Sequence, residues 1–312
     1  MTGDTFKLVS ASRLDGRDQP WRLIDKPLLE INPIGSMIIE DESRFLYWLA
    51  ANYFTGSGKI VDMGPLAGGS THALACGLMN NASVQSNAEL IHSYDMWLFY
   101  EDWKQFFPGQ SLKDHDDILP CFIANIRKFR SQVVPHKGDI SLVGWSDGPI
   151  EILFIDAAKT PHVMEHIVDE FYPALIPGRS LVIQQDFVSA ECPWIHAIQE
   201  YLSDYFEVVD SPQGGTVCFR LLRAIPRHVL DKDFYSSLDK AEGSRLISRA
   251  ADRLRGWFRL CVVLSQAHYL ALAGDPVAAR RILDAVGQDK DYNPAVEFDL
   301  KLVHESLASA GA

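Results

Sequence analysis

The residues most able to do chemistry in this 312-residue chain lie at three places where an apolar run gives way to a helical pattern. The first is Val61-Asp62-Met63-Gly64-Pro65-Leu66-Ala67-Gly68-Gly69-Ser70-Thr71. Bare backbone at Gly64, Gly68 and Gly69 lets a ligand approach the main chain, Ser70 and Thr71 open the helix behind it, and Asp62 can meet a cationic amine. Two phosphate-binding readings fail: a dinucleotide fingerprint needs glycine where Leu66 stands, and a Walker loop needs lysine where Ser70 stands. A ligand without phosphates remains, against the alternative of a tight strand–helix turn that holds no ligand. The second place is Asp95, closing LIHSYD, where a carboxylate can accept both hydroxyls of a ribose. Its distance from the loop exceeds the usual spacing of about 20 residues, which an inserted loop near residues 80–87 explains. Asp139, in HKGDI, follows the next candidate strand and is placed to face an adenine amine. The third place holds Asp156 and Lys159, in D-x-x-K spacing, and the run Gln184-Gln185-Asp186-Phe187.

The elements that must position these residues alternate. Residues 1–35 read as an irregular, proline-dotted arm. A helical pattern follows, with acids at 40–42 in its first turn and Phe45, Leu46, Leu49 and Tyr53 on one face. Apolar runs at 59–64, 90–95, 132–140, 150–156 and 179–187 are separated by helical segments such as THALACGLM and HVMEHIVDEFYPAL. Short apolar runs between helices are how parallel strands covered on both faces look. The runs at 206–209 and 216–222 are joined by a short Pro/Gly turn, which makes only an antiparallel hairpin. The expected fold is therefore α/β, a doubly wound, mostly parallel seven-stranded sheet with a terminal antiparallel hairpin strand. Residues 36–223 form that domain. Residues 224–312 are a helical extension, broken at Gly274-Asp275-Pro276 where glycine ends one helix and proline opens the next.

Taken together, IVDMGPLAGGSTHALA, SYDMW, GDI, IEILFIDAAK and PGRSLVIQQDF resemble the class I methyltransferases, in particular the small-molecule O-methyltransferases of the macrocin, catechol and caffeoyl-CoA type. The resemblance spans roughly residues 35–222. It implies S-adenosylmethionine as cofactor, bound by Asp62, Gly64, Gly68, Gly69, Ser70, Thr71, Asp95, Trp97 and Asp139, with Trp97 as a surface for the adenine. It implies methyl transfer to a hydroxyl of a small molecule, a sugar or polyketide of secondary metabolism. It also implies a divalent metal, magnesium, on Asp156, Gln185 and Asp186, and Lys159 as the base. A metal lowers the pKa of a bound hydroxyl, and a lysine beside it has a depressed pKa. Gln185 departs from the family, which carries an acid there. Metal-free catalysis by His162, His166 or His196 is the alternative. Pro193-Trp194-Ile195 is expected to wall the acceptor pocket.

Bulk properties narrow the field. A net charge of −12 argues against a nucleic-acid partner. Five scattered cysteines without a CxxC pair suit a reducing cytoplasm. No apolar run reaches the ~20 residues of a membrane span, so no membrane partner is expected. The apolar faces of the helical extension, with Trp257, Leu260, Val263, Leu264 and Tyr269, suggest packing on the main domain or a homodimer. The competing readings are a catalytically inactive cofactor-binding protein acting through its helical tail and a nucleotide-dependent dehydrogenase, the latter disfavoured by Leu66 and the hairpin.

Overall fold

A computed structural model of the chain describes residues 19–84, 88–230 and 233–310. The polar beginning of the arm, residues 1–18, lies outside the described residues. Seven strands form at short runs rich in apolar residues: β1 (Lys59–Met63), β2 (Ile91–Asp95), β3 (Val133–Lys137), β4 (Ile150–Ile155), β5 (Leu181–Gln184), β6 (Phe206–Asp210) and β7 (Val217–Leu221). They make one sheet in the order β3-β2-β1-β4-β5-β7-β6. β1 to β5 run parallel, while β7 pairs antiparallel with both β5 and β6. This is the expected α/β sheet, mostly parallel and finished by an antiparallel strand.

Every residue of β4 is buried, as both faces of the sheet are covered. Val61, Met63, Leu153 and Ile155 point into one core. Ile60, Ile152 and Phe154 point into the other. The order reverses between β1 and β4, and the crevice at the carboxyl ends of the strands beside such a switch point is where ligands bind in this architecture.

Nine helices of seven residues or more surround the sheet among the described residues: α1 (Glu40–Trp48), α2 (Gly69–Leu78), α3 (Leu119–Asn125), α4 (Pro161–Phe171), α5 (Pro193–Tyr201), α6 (Lys240–Asp252), α7 (Gly256–Leu272), α8 (Pro276–Val286) and α9 (Glu297–Ala310). The first helical pattern does not run through to Tyr53 as one α-helix. After Trp48 the chain widens into a π-turn, Leu49–Tyr53, closed by Phe54 N–H donating to Leu49 O. This turn brings Tyr53 under the guanidinium of Arg179, 4.1 Å from the ring centroid. β5 is shorter than expected, because Asp186 takes a left-handed conformation (φ 63°) that ends the extension.

The helical extension packs on the domain before it. Leu246, Ile247, Leu260 and Leu264 belong to the same core as Val182 and Phe219 of the sheet. Glu200 on α5, 3% exposed, bridges to Arg249 on α6 at 2.9 Å and to Arg253 just after it at 2.5 Å. The break falls where expected: Gly274 has φ 75°, and Asp275 caps α8 by accepting from Ala278 N–H at 3.1 Å. Leu260 and Leu264 are wholly buried within the one chain, and Trp257, Val263 and Tyr269 are partly buried against the same core. No described helix is long and apolar enough to cross a membrane.

Candidate functional site

The glycine loop between β1 and α2 is shaped by its own neighbours. Gly64 (φ 84°) passes so close to β4 that a Cβ there would lie 2.5 Å from Asp156 O. Leu66 takes a left-handed conformation (φ 50°) at the position where a dinucleotide fingerprint has glycine. Asp95 holds it there, its Oδ2 accepting from Leu66 N–H at 2.9 Å, while its Oδ1 accepts from Trp97 N–H at 2.7 Å. Trp97 Nε1 donates to Leu66 O at 3.1 Å and Asn125 Nδ2 to Ala67 O at 2.9 Å. Gly68 (φ 104°) backs onto Phe122 and Ile126, and Gly69 onto Ser36 and Asn32 of the segment before α1.

This geometry reassigns several residues expected to touch the ligand. Asp62 is wholly buried beneath the loop. It accepts from Ser70 Oγ at 3.0 Å and Thr71 Oγ1 at 2.5 Å, and Thr71 also meets Ser93 Oγ. Burial pushes the Asp62 carboxyl up to about 7 against these hydroxyl donors. Asp62, Ser70 and Thr71 therefore build the first turn of α2, and Asp62 has no open path to a ligand amine. Trp97 is 0% exposed and supports the loop from below, so it offers no face for stacking. Gly68 and Gly69 are close-packed against protein. Gly64 and Asp95 remain partly exposed in the crevice. A carboxylate has about four acceptor positions, so Asp95 keeps capacity beyond its two loop amides. Asp139 is exposed and caps a short turn through Ser141 N–H at 2.9 Å and Ser141 Oγ at 2.7 Å; the Ser141 hydroxyl bond holds its carboxyl below the usual range.

Across the crevice, Asp156 at the end of β4 and Asp186 after β5 hold Lys159 between them. Lys159 Nζ donates to Asp156 Oδ1 at 3.0 Å and also to Asp186 Oδ2. Burial costs the ammonium, but the charge of Asp156, then that of Asp186, outweighs it and the lysine pKa is raised. Burial and the Asp186 charge raise Asp156, against the pull of Lys159. A divalent cation does not fit here. The ammonium already sits between the two carboxylates, and the third expected ligand, Gln185, is a neutral amide. No cluster of three His, Cys, Asp or Glu side chains among the described residues is arranged to hold a metal. The expected magnesium site on Asp156, Gln185 and Asp186 is thus replaced by an internal ion pair. A lysine so held is a proton holder, which corrects its expected role as a base.

The histidine alternatives are placed elsewhere. His196 is wholly buried, its Nε2 against Phe187 O at 2.7 Å, and burial lowers its pKa to about 4. His166 Nε2 meets Val143 O at 2.7 Å, and His162 is exposed on α4. Trp194 donates from Nε1 to Ala158 O at 2.7 Å, bracing the Asp156–Lys159 loop. Sequence reasoning missed Glu42, 1% exposed in the first turn of α1. Its Oε1 accepts from Thr216 Oγ1 at 2.5 Å and its Oε2 from Ile39 N–H at 2.9 Å. Burial, with the nearby Asp186 charge, pushes Glu42 up to about 7. Its only signal in the sequence is an acid in the first turn of a helix.

No protein-family model matches the chain, and no curated protein does. Solved structures similar to it include a protein of Pyrococcus horikoshii described provisionally as an RNA methyltransferase, at 12% identity and TM-score 0.36, covering 64% of this chain and 91% of that one. The 23S rRNA methyltransferase ErmE is similar at 14% identity and TM-score 0.33, covering 85% and 97%. The plantazolicin methyltransferase BpumL, solved in complex with SAH, is similar at 11% identity and TM-score 0.29, covering 86% and 82%.

Two of these three are named for RNA, and the expectation that nucleic acid is excluded falls with them. That expectation rested on the net charge of −12. A net charge is an average over the chain and does not describe the potential around one crevice.

Proposed function

We propose that the chain binds S-adenosylmethionine at the carboxyl ends of β1 and β2 and transfers its methyl group to a hydroxyl of a small molecule held at the ends of β4 and β5. One observation carries the reading: Gly64 and Asp156 lie main chain against main chain, so the Asp95 side and the Lys159 side share one crevice. The sequence motifs and the sheet order support it. The cofactor supplies an electrophilic methyl group on a sulfonium. Asp95 would accept from the ribose hydroxyls, and Gly64 would admit the ligand to the main chain. Asp139 would meet the adenine amine from the rim.

On the acceptor side, Lys159 has three N–H donors and spends two on Asp156 and Asp186. The third is free to hold the acceptor oxygen and to stabilise the negative charge that develops on it. The Asp156 carboxyl, its proton affinity raised by burial, takes the hydroxyl proton. Holding both partners in one crevice supplies most of the remaining acceleration. A sugar or polyketide hydroxyl is the acceptor class the resemblance implies.

Calorimetry with S-adenosylmethionine and S-adenosylhomocysteine tests the cofactor, with micromolar affinity expected. Transfer of a labelled methyl group to a panel of hydroxylated sugars and polyketides, with a structured RNA alongside, tests the acceptor. No heat from either cofactor form, with NAD binding instead, overturns the whole reading. Labelling of the RNA alone overturns the acceptor.

A further inference from the structure

The loop that carries Asp186 is held by main-chain bonds on every side. Gln185 N–H donates to Ile155 O at 3.0 Å and Val188 N–H to Gly215 O at 2.9 Å. Phe187 O faces His196 Nε2 at 2.7 Å. The last bond comes from far along the chain: Ala190 N–H donates to Asp299 Oδ1 at 2.6 Å, across 109 residues. Asp299 stands in the first turn of α9, where a carboxylate ordinarily serves the free amides of its own helix. Here it turns inward instead. It is 5% exposed, Ala190 is 0% exposed, and the Cys261 thiol of α7 lies beside the same carboxylate. A buried carboxylate is costly unless its hydrogen bonds are made.

The loop needs such holding because Asp186 is a non-glycine residue in the left-handed region (φ 63°), a conformation that persists where the surroundings enforce it. In that conformation it meets Lys159. The β4 side of the pair is braced by Trp194 from α5, and the β5 side by Asp299 from the helical extension. We propose that Asp299 is a positioning residue for the Asp186–Lys159 pair, which makes the C-terminal helices part of the active site's support. This inference rests on the reading of Lys159 as the group that holds the acceptor, and it assigns the extension a role in the same chain.

The first measurement uses the unaltered protein with 15N-alanine label. The Ala190 amide should exchange with deuterium at least a hundredfold more slowly than in the unfolded chain, and free exchange would overturn the proposal. In Asp299→Ala, exchange at residues 186–190 should rise tenfold or more while β1 and β4 keep their protection. Asp299→Asn retains an acceptor oxygen and should restore the loop. An equal rise throughout the sheet, or no rescue by asparagine, refutes positioning in favour of general stability. S-adenosylhomocysteine affinity should stay within threefold of the unaltered protein in Asp299→Ala. With an acceptor found in the panel, kcat should fall tenfold or more at unchanged KM for the cofactor. A parallel loss of cofactor affinity refutes the acceptor-side assignment. If the unaltered protein turns over nothing, the exchange results still decide the loop, and the functional reading alone falls.

Discussion

Replacing Lys159 by methionine keeps most of the length of the side chain and removes its charge. The lysine side chain is 53% exposed, that of Asp156 10% and that of Asp186 24%, so the pair is neither a surface bridge nor a buried one. Surface pairs contribute about 0–1 kcal/mol, while breaking a buried pair costs about 3–5 kcal/mol. Lys159→Met should therefore destabilise the fold by roughly 1–3 kcal/mol. It should also uncover two adjacent carboxylates, which bind magnesium with a Kd on the order of 1 mM. At about 10 mM magnesium the variant then gains about 1.4 kcal/mol. Spread over 312 residues at about 2.1 cal per mole per kelvin each, that is a rise in Tm of about 2 °C. The unaltered protein should show no such rise and should keep its activity in chelator. Calorimetric melting of both proteins, with and without magnesium, measures the effect. Equal stabilisation of the two would refute the claim that the ammonium takes the cation's place.

The remaining expectations concern the cofactor side, a titrating clamp and a helix contact. Asp95→Ala should weaken S-adenosylhomocysteine binding tenfold or more, since it removes the ribose acceptor and releases Leu66 N–H; unchanged calorimetric affinity would place the nucleoside elsewhere. Glu42 has a folded pKa of about 7 against 4.5 unfolded, so the folded state holds its proton longer. The associated stability is full below pH 4.5 and is lost as pH rises through 7, and Glu42→Gln should abolish that loss. Between about pH 5 and pH 8 the unaltered protein should lose up to about 2.5 kcal/mol relative to the variant, and parallel denaturant curves at the two pH values would contradict this. Gly77→Ala places a Cβ 2.2 Å from Tyr47 O where α2 crosses α1. It should cost about 1–3 kcal/mol or more. Gly287→Ala meets nothing closer than 3.8 Å at a helical φ of −62° and should stabilise by about 0.4–1 kcal/mol. Urea midpoints separate the two.

The sheet was legible because its evidence is local. Apolar-rich runs such as 150–156 need both faces covered, and the turn Pro212-Gln213-Gly214-Gly215 between β6 and β7 leaves only an antiparallel return. The π-turn at Leu49–Tyr53 was not legible, since five apolar and small residues continue a helical pattern equally well in either form. Asp62 shows the same difficulty at the site. Its place after a strand and before glycines suits a ligand contact, yet Ser70 and Thr71, eight and nine residues on, consume its oxygens. A residue type at a strand end says that hydrogen bonds will be made there, and not whether the partner is a ligand or the protein itself.

The groups that fix the crevice share a property that periodicity does not register. Gln19 donates to Asp210 across 191 residues, Thr216 to Glu42 across 174, and Ala190 to Asp299 across 109. Each pairs a loop or strand of the sheet domain with a polar residue outside the sheet, in the chain leading into α1, in its first turn, or in the C-terminal helices. Hydrophobic patterning places such elements against a core but leaves their polar residues looking like solvated ones. The metal reading failed for the same reason. Asp156 and Asp186 stood at the right strand ends, and Lys159 followed three residues after one of them, but only the fold brings the lysine to Asp186, 27 residues away. Once it is there, the two carboxylates already have their cation, and the chemistry open to this crevice is that of a fixed ammonium donor beside a buried carboxyl.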